Sequence, residues 1–321
     1  MEPVELPRVE PQELDAAAGV GRRIAANVGR AVEVREDVLD FVLVALAAGG
    51  HVLIEDYPGV GKTALARALS RSIDGAFARI QCTADLLPAD VVGAAVYNQR
   101  EERFQFRPGP IFANVVLVDE INRASPKTQS GLLECMQEQR VTVDVHTHEL
   151  ARPFIVLATQ NPMEYAGTYP LPESQVDRFM MRLSMGYPSA GAEAGMLAAH
   201  ETGDRVLELE TVADTSEVLA LQDAASRVRA TPVLREYIVT LLGHTRDDPR
   251  VELGASPRSG VMLLRAAKAR ALLEGRDHAL PDDVQALAEA VLSHRLMLAP
   301  EAAGVQRAEI VSDAIASVRA L

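Results

Sequence analysis

The stretch HVLIEDYPGVGKT, His51 to Thr63, restricts what this chain can fold into more than any other. Val52, Leu53 and Ile54 read as a buried parallel strand, and Ala64, Leu65, Ala68 and Leu69 continue at helical spacing. A glycine-punctuated loop therefore joins a strand end to a helix N-terminus. Such a loop suits phosphate, because glycines let the chain approach closely and the N–H groups from Gly59 to Thr63, at the positive end of the helix dipole, can wrap an anion. Pro58, Gly59, Val60, Gly61, Lys62, Thr63 and Ala64 are the expected nucleotide-binding residues. Lys62 would reach the β- and γ-phosphates and the Thr63 hydroxyl would ligate Mg²⁺. One position departs from the pattern GxxxxGKS/T, whose first glycine is replaced by Asp56. Asp tolerates a left-handed turn better than most residues, so the loop is expected to close regardless. The plainer alternative, a turn that only connects strand to helix, is disfavoured by the strand before, the helix after and the Pro-Gly between them.

A second run carries chemistry. NVVLVDEINRA, Asn114 to Ala124, sets two adjacent carboxylates at the C-terminal end of a buried apolar strand, where ligands bind in open α/β sheets. This is a Walker B pattern: Asp119 would hold Mg²⁺, partly through water, and Glu120 would orient and deprotonate the water that attacks the γ-phosphate. Two solvated acids ending a strand are the alternative.

The rest of the chain frames these motifs. Its 321 residues, 48% hydrophobic, suffice for two domains with real cores. Residues 1–20, with Pro3, Pro7, Pro11 and several acids, read as a disordered tail. Helical spacing runs from Ile24 to Ala48, with Val38, Phe41, Val42 and Ala45 on one stripe. Strands follow at Ala78 to Gln81, Val115 to Val118 and Phe154 to Thr159. Alternating helices and apolar strands predict an α/β class, an αβα core with a parallel sheet over 21–187. Beyond Tyr187-Pro188 the strand runs cease and a small all-α domain is expected over 188–321. One helix there starts at Thr231-Pro232 and buries Leu234, Tyr237, Ile238, Leu241 and Leu242. Another starts at Pro281 and buries Val284, Leu287, Ala288, Val291 and Leu292, with His294 and Arg295 near its end where cations suit the dipole.

With 32 Lys plus Arg against 45 Asp plus Glu, the formal charge of −13 disfavours a polyanionic partner. Cys82 and Cys135 are too few for a disulfide framework or a metal quartet and read as buried thiols of a reducing compartment. No apolar run reaches the length of a membrane span, and the N-terminus lacks a secretion signal, so a cytoplasmic location is expected.

Four motifs in this order, YPGVGKT, RPGPIFANVVLVDEINRASPKTQSGLLECMQE, VLATQNPMEYAGTYPLPESQVDRF and GASPRSGVMLLRAAKARALL, make the chain similar to MoxR-family AAA+ ATPases over nearly its whole length after the tail. The resemblance implies an αβα core with a helical lid, ATP between them, and a ring of copies, usually a hexamer. It implies that Asn161 is sensor 1, that Arg178 of the DRF signature is an arginine finger acting on a neighbour's site, and that Arg258 is sensor 2. Arg123 is the other candidate finger, and an internal pair with Asp177 or Glu120 is the plain alternative for either. Val28 and Gly29, read as a loop before the first core helix, correspond to the adenine-contacting segment. The resemblance suggests protein clients or co-chaperones with von Willebrand factor A domains, acted on by a remodelling or maturation ATPase. A slow nucleotide switch or scaffold and, against the charge, a nucleic-acid motor are the other readings.

Two further segments read as hairpins. In Tyr97 to Pro110, Phe104 and Phe106 alternate with Arg103, Gln105 and Arg107, a strand pattern whose rings either offer a contact surface or pack under the sheet. In Val141 to Leu150, His146 and His148 share a strand face, but two ligands without a third do not make a metal site.

Overall fold

The strands are central because they are apolar at both phases of the period of two. A computed structural model describes residues 8–57, 59–161, 167–187, 191, 203–302 and 304–319. In it β1 (Val52–Glu55), β2 (Phe77–Gln81), β5 (Val115–Asp119), β8 (Ile155–Gln160) and β9 (Met181–Leu183) pair in parallel in the order β2-β5-β8-β1-β9. Val52, Ile54, Val115, Leu117, Ile155 and Leu157 pack to one side of the sheet. Leu53, Val116, Val118, Val156 and Ala158 pack to the other. A sheet buried on both faces needs helices on both. The first face is covered by α1 (Pro11–Ala31), α2 (Glu36–Ala47) and α3 (Lys62–Ser72), and the second by α4 (Pro88–Val92) and α5 (Pro126–Glu138). Strand β9, at three residues, is too short for periodicity to reveal and was not among the expected strands.

The N-terminal expectations need correction. Residues 11–20 are the first half of α1 and not a tail, because Pro11 supplies the first helical position and the Glu10 N–H donates to Glu13 Oε2 at 3.0 Å. Ala17, Ala18 and Val20 are buried there; residues 1–7 lie outside the described residues. The single helical run from Ile24 to Ala48 is two helices separated by an extended link, residues 32–35, which contains the β-branched Val32 and Val34. Of the predicted stripe, Val38, Val42 and Ala45 are fully buried and Phe41 partly so.

The short α6 (Glu173–Val176) precedes β9, and after β9 come the described α-helices α7 (Thr215–Arg227), α8 (Pro232–Asp247), α9 (Pro257–Leu273), α10 (Pro281–Leu292) and α11 (Arg307–Ser317). Thr231 caps α8, its Oγ1 accepting the Leu234 N–H at 3.1 Å, and the predicted apolar faces of α8 and α10 are buried residue for residue. This part is not all helical. Val251–Leu253 (β10) and Met297–Leu298 (β11) pair antiparallel, in runs too short to show alternation. Nor are His294 and Arg295 cations placed for a helix dipole. Burial, aided by the neighbouring Arg295, holds His294 well below the usual histidine range and so neutral. Arg295 reaches across to the sheet domain, donating from Nε to Asp177 Oδ1 at 2.8 Å and from Nη2 to Phe179 O at 2.6 Å. Burial draws its pKa down to about 10, and the Asp177 carboxylate favours the charged form. A specific tertiary partner outweighs a helix-end effect worth under about 1 kcal/mol.

His51, at the entry to β1, fastens the sheet's lower edge. Its Nε2 lies 3.0 Å from Met136 O and its Nδ1 accepts the Val156 N–H at 3.0 Å, so the neutral ring donates from Nε2. Burial lowers its pKa from 6.5 to about 4. The unfolded chain takes up this proton first, so the stability conferred by the neutral ring is complete above about pH 6.5 and is lost as pH falls toward 4. The loss is on the order of 3 kcal/mol. Thermal denaturation at about pH 7 and about pH 4.5 should therefore show a smaller acid destabilisation in His51→Gln than in the parent. Equal acid sensitivity in the two proteins would exclude His51 as the cause.

Candidate active site

The loop after β1 is shaped by two glycines and one acid. Gly59 and Gly61 have φ of 86° and 93°, a region that side chains with a Cβ avoid, and Lys62 opens α3 directly after Gly61. Asp56 is not in a left-handed turn, contrary to expectation. It is buried, and its Oδ2 accepts the Gly186 N–H at 2.8 Å and the Ser184 hydroxyl at 3.3 Å. The position thus ties the phosphate loop to the segment leaving β9, a task a glycine could not perform. Tyr57 and Tyr187 stack at 5.3 Å beside this junction. Lys62 Nζ donates to Asp56 O at 3.0 Å and Tyr57 O at 3.1 Å, and its partial burial lowers its pKa.

The parallel register brings the C-terminal ends of β1, β5 and β8 to one rim, around a cavity of about 370 Å³. Gly59, Gly61, Lys62, Thr63, Ala64, Asp119, Glu120 and Asn161 line it, together with Asp56, Arg79, Gln81 and Thr159. Glu120 leaves β5 in the left-handed region, φ 55° and ψ 51°, which costs a non-glycine residue about 1–3 kcal/mol and turns its side chain back over the strand end. Thr159 fixes this turn. Its hydroxyl donates to Asp119 Oδ1 at 2.8 Å and its Oγ1 accepts the Glu120 N–H at 3.0 Å. The Glu120 carboxylate accepts from Gln81 Nε2 at 3.1 Å and from Arg123 Nη1 at 3.0 Å.

Arg79, Gln81 and Thr159 were not anticipated. The signal for the first two was the alternation ARIQ, which places two polar side chains on one face of β2 at its C-terminal end. The hydroxyl of Thr159, buried in an otherwise apolar strand, was the signal for the third.

Other anticipated residues lie elsewhere. Val28 and Gly29 belong to α1, not to a loop: Val28 is fully buried in the core and Gly29 is exposed, because the helix runs on to Ala31. Val60 packs into the core, and Pro58 lies outside the described residues. Arg258, at the start of α9, does not line the cavity but sits with Nε 3.6 Å from Asp177 Oδ2. Arg178 follows Asp177, half-buried, and makes no ion pair with a described residue; Arg123 has the internal pair with Glu120. The basic side chains of α9 go to separate partners. Arg265 donates to Ala48 O, Lys268 to Ser226 O, and Arg270 pairs with Glu274 at 3.0 Å.

The oxygen donors present suit a hard cation, since the Thr63 hydroxyl and the Asp119 carboxylate share a cavity roomy enough for water and phosphate oxygens. Among the described residues no cluster of three His, Cys, Asp or Glu side chains could hold a metal by itself. Cys82 and Cys135 are buried and unbonded, and burial pushes their thiols up to about 12 and about 11.

Residues 51–181 match the ATPase family associated with various cellular activities (AAA), and residues 243–314 match the AAA lid domain. The chain is 39% identical over 289 residues to chaperone MoxR1 of Mycobacterium tuberculosis, covering 87% of this chain and 76% of that one. It belongs to the MoxR family of AAA+ ATPases. It is also 50% identical over 295 residues to the uncharacterized protein YeaC of Bacillus subtilis, 91% and 92% of the two chains. The crystal structure of a candidate ATPase from Cytophaga hutchinsonii superposes with a TM-score of 0.90 at 35% identity, over 97% of each chain. The first match spans the parallel sheet from β1 into β9, and the second runs from the end of α8 into α11. No described helix is long and apolar enough to cross a membrane.

Proposed function

We propose that this protein hydrolyses ATP within a ring of its own copies, six by family analogy, and uses the turnover to remodel or mature protein clients, von Willebrand factor A domain proteins being the class to test first. The reading is carried by one observation: Lys62, Thr63, Asp119, Glu120 and Asn161 converge on a single cavity at the C-terminal rim of the sheet. The relatives' names, chaperone MoxR1 among them, support it. We divide the chain into a sheet domain ending at 187 and a lid after it, with α1 packed on both. When ATP binds, the loop N–H groups receive the β-phosphate and Lys62 exchanges its bonds to Asp56 O and Tyr57 O for phosphate oxygens. A magnesium held by Thr63 and Asp119 would neutralise charge on the phosphates. Glu120 takes the proton of the attacking water, Asn161 holds that water or a γ-phosphate oxygen without adding charge, and Arg178 of a neighbouring copy faces the γ-phosphate. Arg258 reaches the nucleotide by leaving Asp177.

A protein client is favoured over nucleic acid by the charge of −13 and by the hairpin β3 (Gly93–Asn98) and β4 (Arg103–Pro108). Phe104 is 71% exposed and meets Tyr97, 50% exposed, edge to face at 5.3 Å. Phe106 is instead packed, on Phe112 and, stacked at 3.9 Å, on His148 of the hairpin β6 (Arg140–Val143) and β7 (His146–Glu149). Only Phe104 is thus free to act as a contact anchor. Steady-state ATPase and mass measurement, with and without a von Willebrand factor A domain client, test the reading. Turnover absent under all conditions would refute the enzyme, and stimulation by DNA but not by protein would refute the client class. Phe104→Ser should cut client stimulation by about tenfold, a typical anchor loss, while basal turnover and melting stay unchanged. Phe106→Ser should lower the melting temperature instead.

A further inference from the structure

Arg79 has no part in the reaction just outlined, yet it makes the tightest charged contact in the cavity. Its Nη2 and Nε both donate to one atom, Asp119 Oδ2, at 2.6 and 3.0 Å. The other oxygen, Oδ1, accepts the Thr159 hydroxyl and keeps one lone pair. The remaining cations near the rim are otherwise engaged: Lys62 with loop carbonyls, Arg123 with Glu120. Among the described residues Arg79 is the one cation paired with Asp119, an aspartate whose side chain is 14% exposed, where a charge-assisted bond is worth more than at the surface.

We propose that Arg79 competes with the divalent cation for Asp119 and so sets how strongly nucleotide binding depends on that cation. The proposal rests on the assignment of Asp119 as a metal-binding acid. The competition is both geometric and electrostatic. Oδ2, which accepts two N–H bonds, has no lone pair left for a metal or a metal-bound water; at Oδ1 the competition is electrostatic, because a guanidinium close to a divalent cation is repelled by it. Arg79 has somewhere to go. Its Nη2 also donates to Gln81 Oε1 at 2.9 Å, and its side chain is half exposed, so it can leave Asp119 without losing every partner. While paired with Asp119, it lets the polyphosphate enter a site whose acids would otherwise repel it. Once displaced, it is a mobile cation at the rim where that polyphosphate lies.

The test is thermodynamic and independent of turnover. ADP affinity is measured by calorimetry in EDTA and in saturating Mg²⁺ for the parent, Arg79→Met and Arg79→Lys, and the ratio of the two dissociation constants is compared. Without Arg79, binding in EDTA weakens because the charge of Asp119 is uncompensated, and binding with Mg²⁺ tightens because its competitor is gone. The ratio should rise about three- to tenfold in Arg79→Met, a range that discounts the pair for its partial exposure. In Arg79→Lys, which keeps the charge but cannot make two converging bonds, the rise should be about two- to threefold. A ratio unchanged or lowered in both variants overturns the proposal, since a merely structural arginine would weaken both affinities alike. If the Met variant melts too low to assay, the Lys variant decides. Asp119→Asn is the separate control: a metal dependence that persists there shows that Asp119 is not the metal-binding acid and fails the underlying assignment, whatever Arg79 does.

Discussion

Glu120→Gln should bind ATP with the affinity of the parent and turn it over about 10²- to 10⁴-fold more slowly, the range expected when a positioned general base is lost. The amide preserves shape. Its oxygen can still accept from Gln81 Nε2 or Arg123 Nη1, which now contact Glu120 at 3.1 and 3.0 Å, and the left-handed backbone at φ 55° is set by Thr159 and not by the carboxylate. What is lost is the ability to accept a proton. Lys62→Ala separates binding from chemistry, because Lys62 is the cationic side chain that the loop itself contributes to the cavity; that variant should lose ATP binding altogether. Fluorescent nucleotide titration reads the first property and phosphate release the second. Parental turnover in Glu120→Gln would remove Glu120 from the role of base. Weakened ATP binding in the same variant would point to a ground-state role, since interactions made equally in ground and transition states alter affinity and not turnover.

The reach of the sequence differs from element to element, for physical reasons. The strand-loop-helix at His51 to Thr63 is legible because each part is locally determined: apolar residues at both phases for β1, glycines where φ is positive, and helical spacing in α3. The faces of α8 and α10 are legible for the same reason. The start of α1 carried its own signal, Pro11 at the first position and Glu13 reaching back to the Glu10 N–H, but the acids and prolines of the first 20 residues outweighed it in a compositional reading. Val28 and Gly29 lie in the second half of that helix, where a loop was expected. The environment of Asp56 was not legible at all. Its partners Ser184 and Gly186 lie 128 and 130 residues away, and nothing local distinguishes an acid that closes a turn from one that receives a distant N–H. The same holds for Asp177, whose two arginine partners, Arg258 and Arg295, come from the lid. Spacing can place a charged residue at a strand or helix end, but the choice of counter-ion is made by the tertiary fold.

That placement of Asp177 bears on the strongest remaining prediction, the loss of turnover in Arg178→Ala. Arg178 does not line the cavity of its own chain and makes no ion pair with a described residue, whereas Arg123, the other candidate finger, is paired with Glu120 at 3.0 Å. Its neighbours are held firmly: Arg295 grips Asp177 at 2.8 Å and the carbonyl of Phe179 at 2.6 Å, so the backbone on both sides of Arg178 is anchored to the lid. A cation on an anchored backbone, outside the lining of its own site, suits action on an adjacent copy. Arg178→Ala should therefore keep ATP affinity within about threefold, since a residue from a neighbour adds little to ground-state binding, and lower turnover by about 10³-fold or more, the scale of arginine fingers. Mixing locates the effect. Glu120→Gln and Arg178→Ala proteins, each nearly inactive, should regain activity when combined, because an interface that pairs the intact base of one subunit with the intact arginine of the next is complete. An arginine acting within its own chain would leave every mixture inactive. Subunit exchange is verified in parallel by energy transfer between labelled copies, so a mixture that exchanges and yet recovers nothing would refute the assignment in trans.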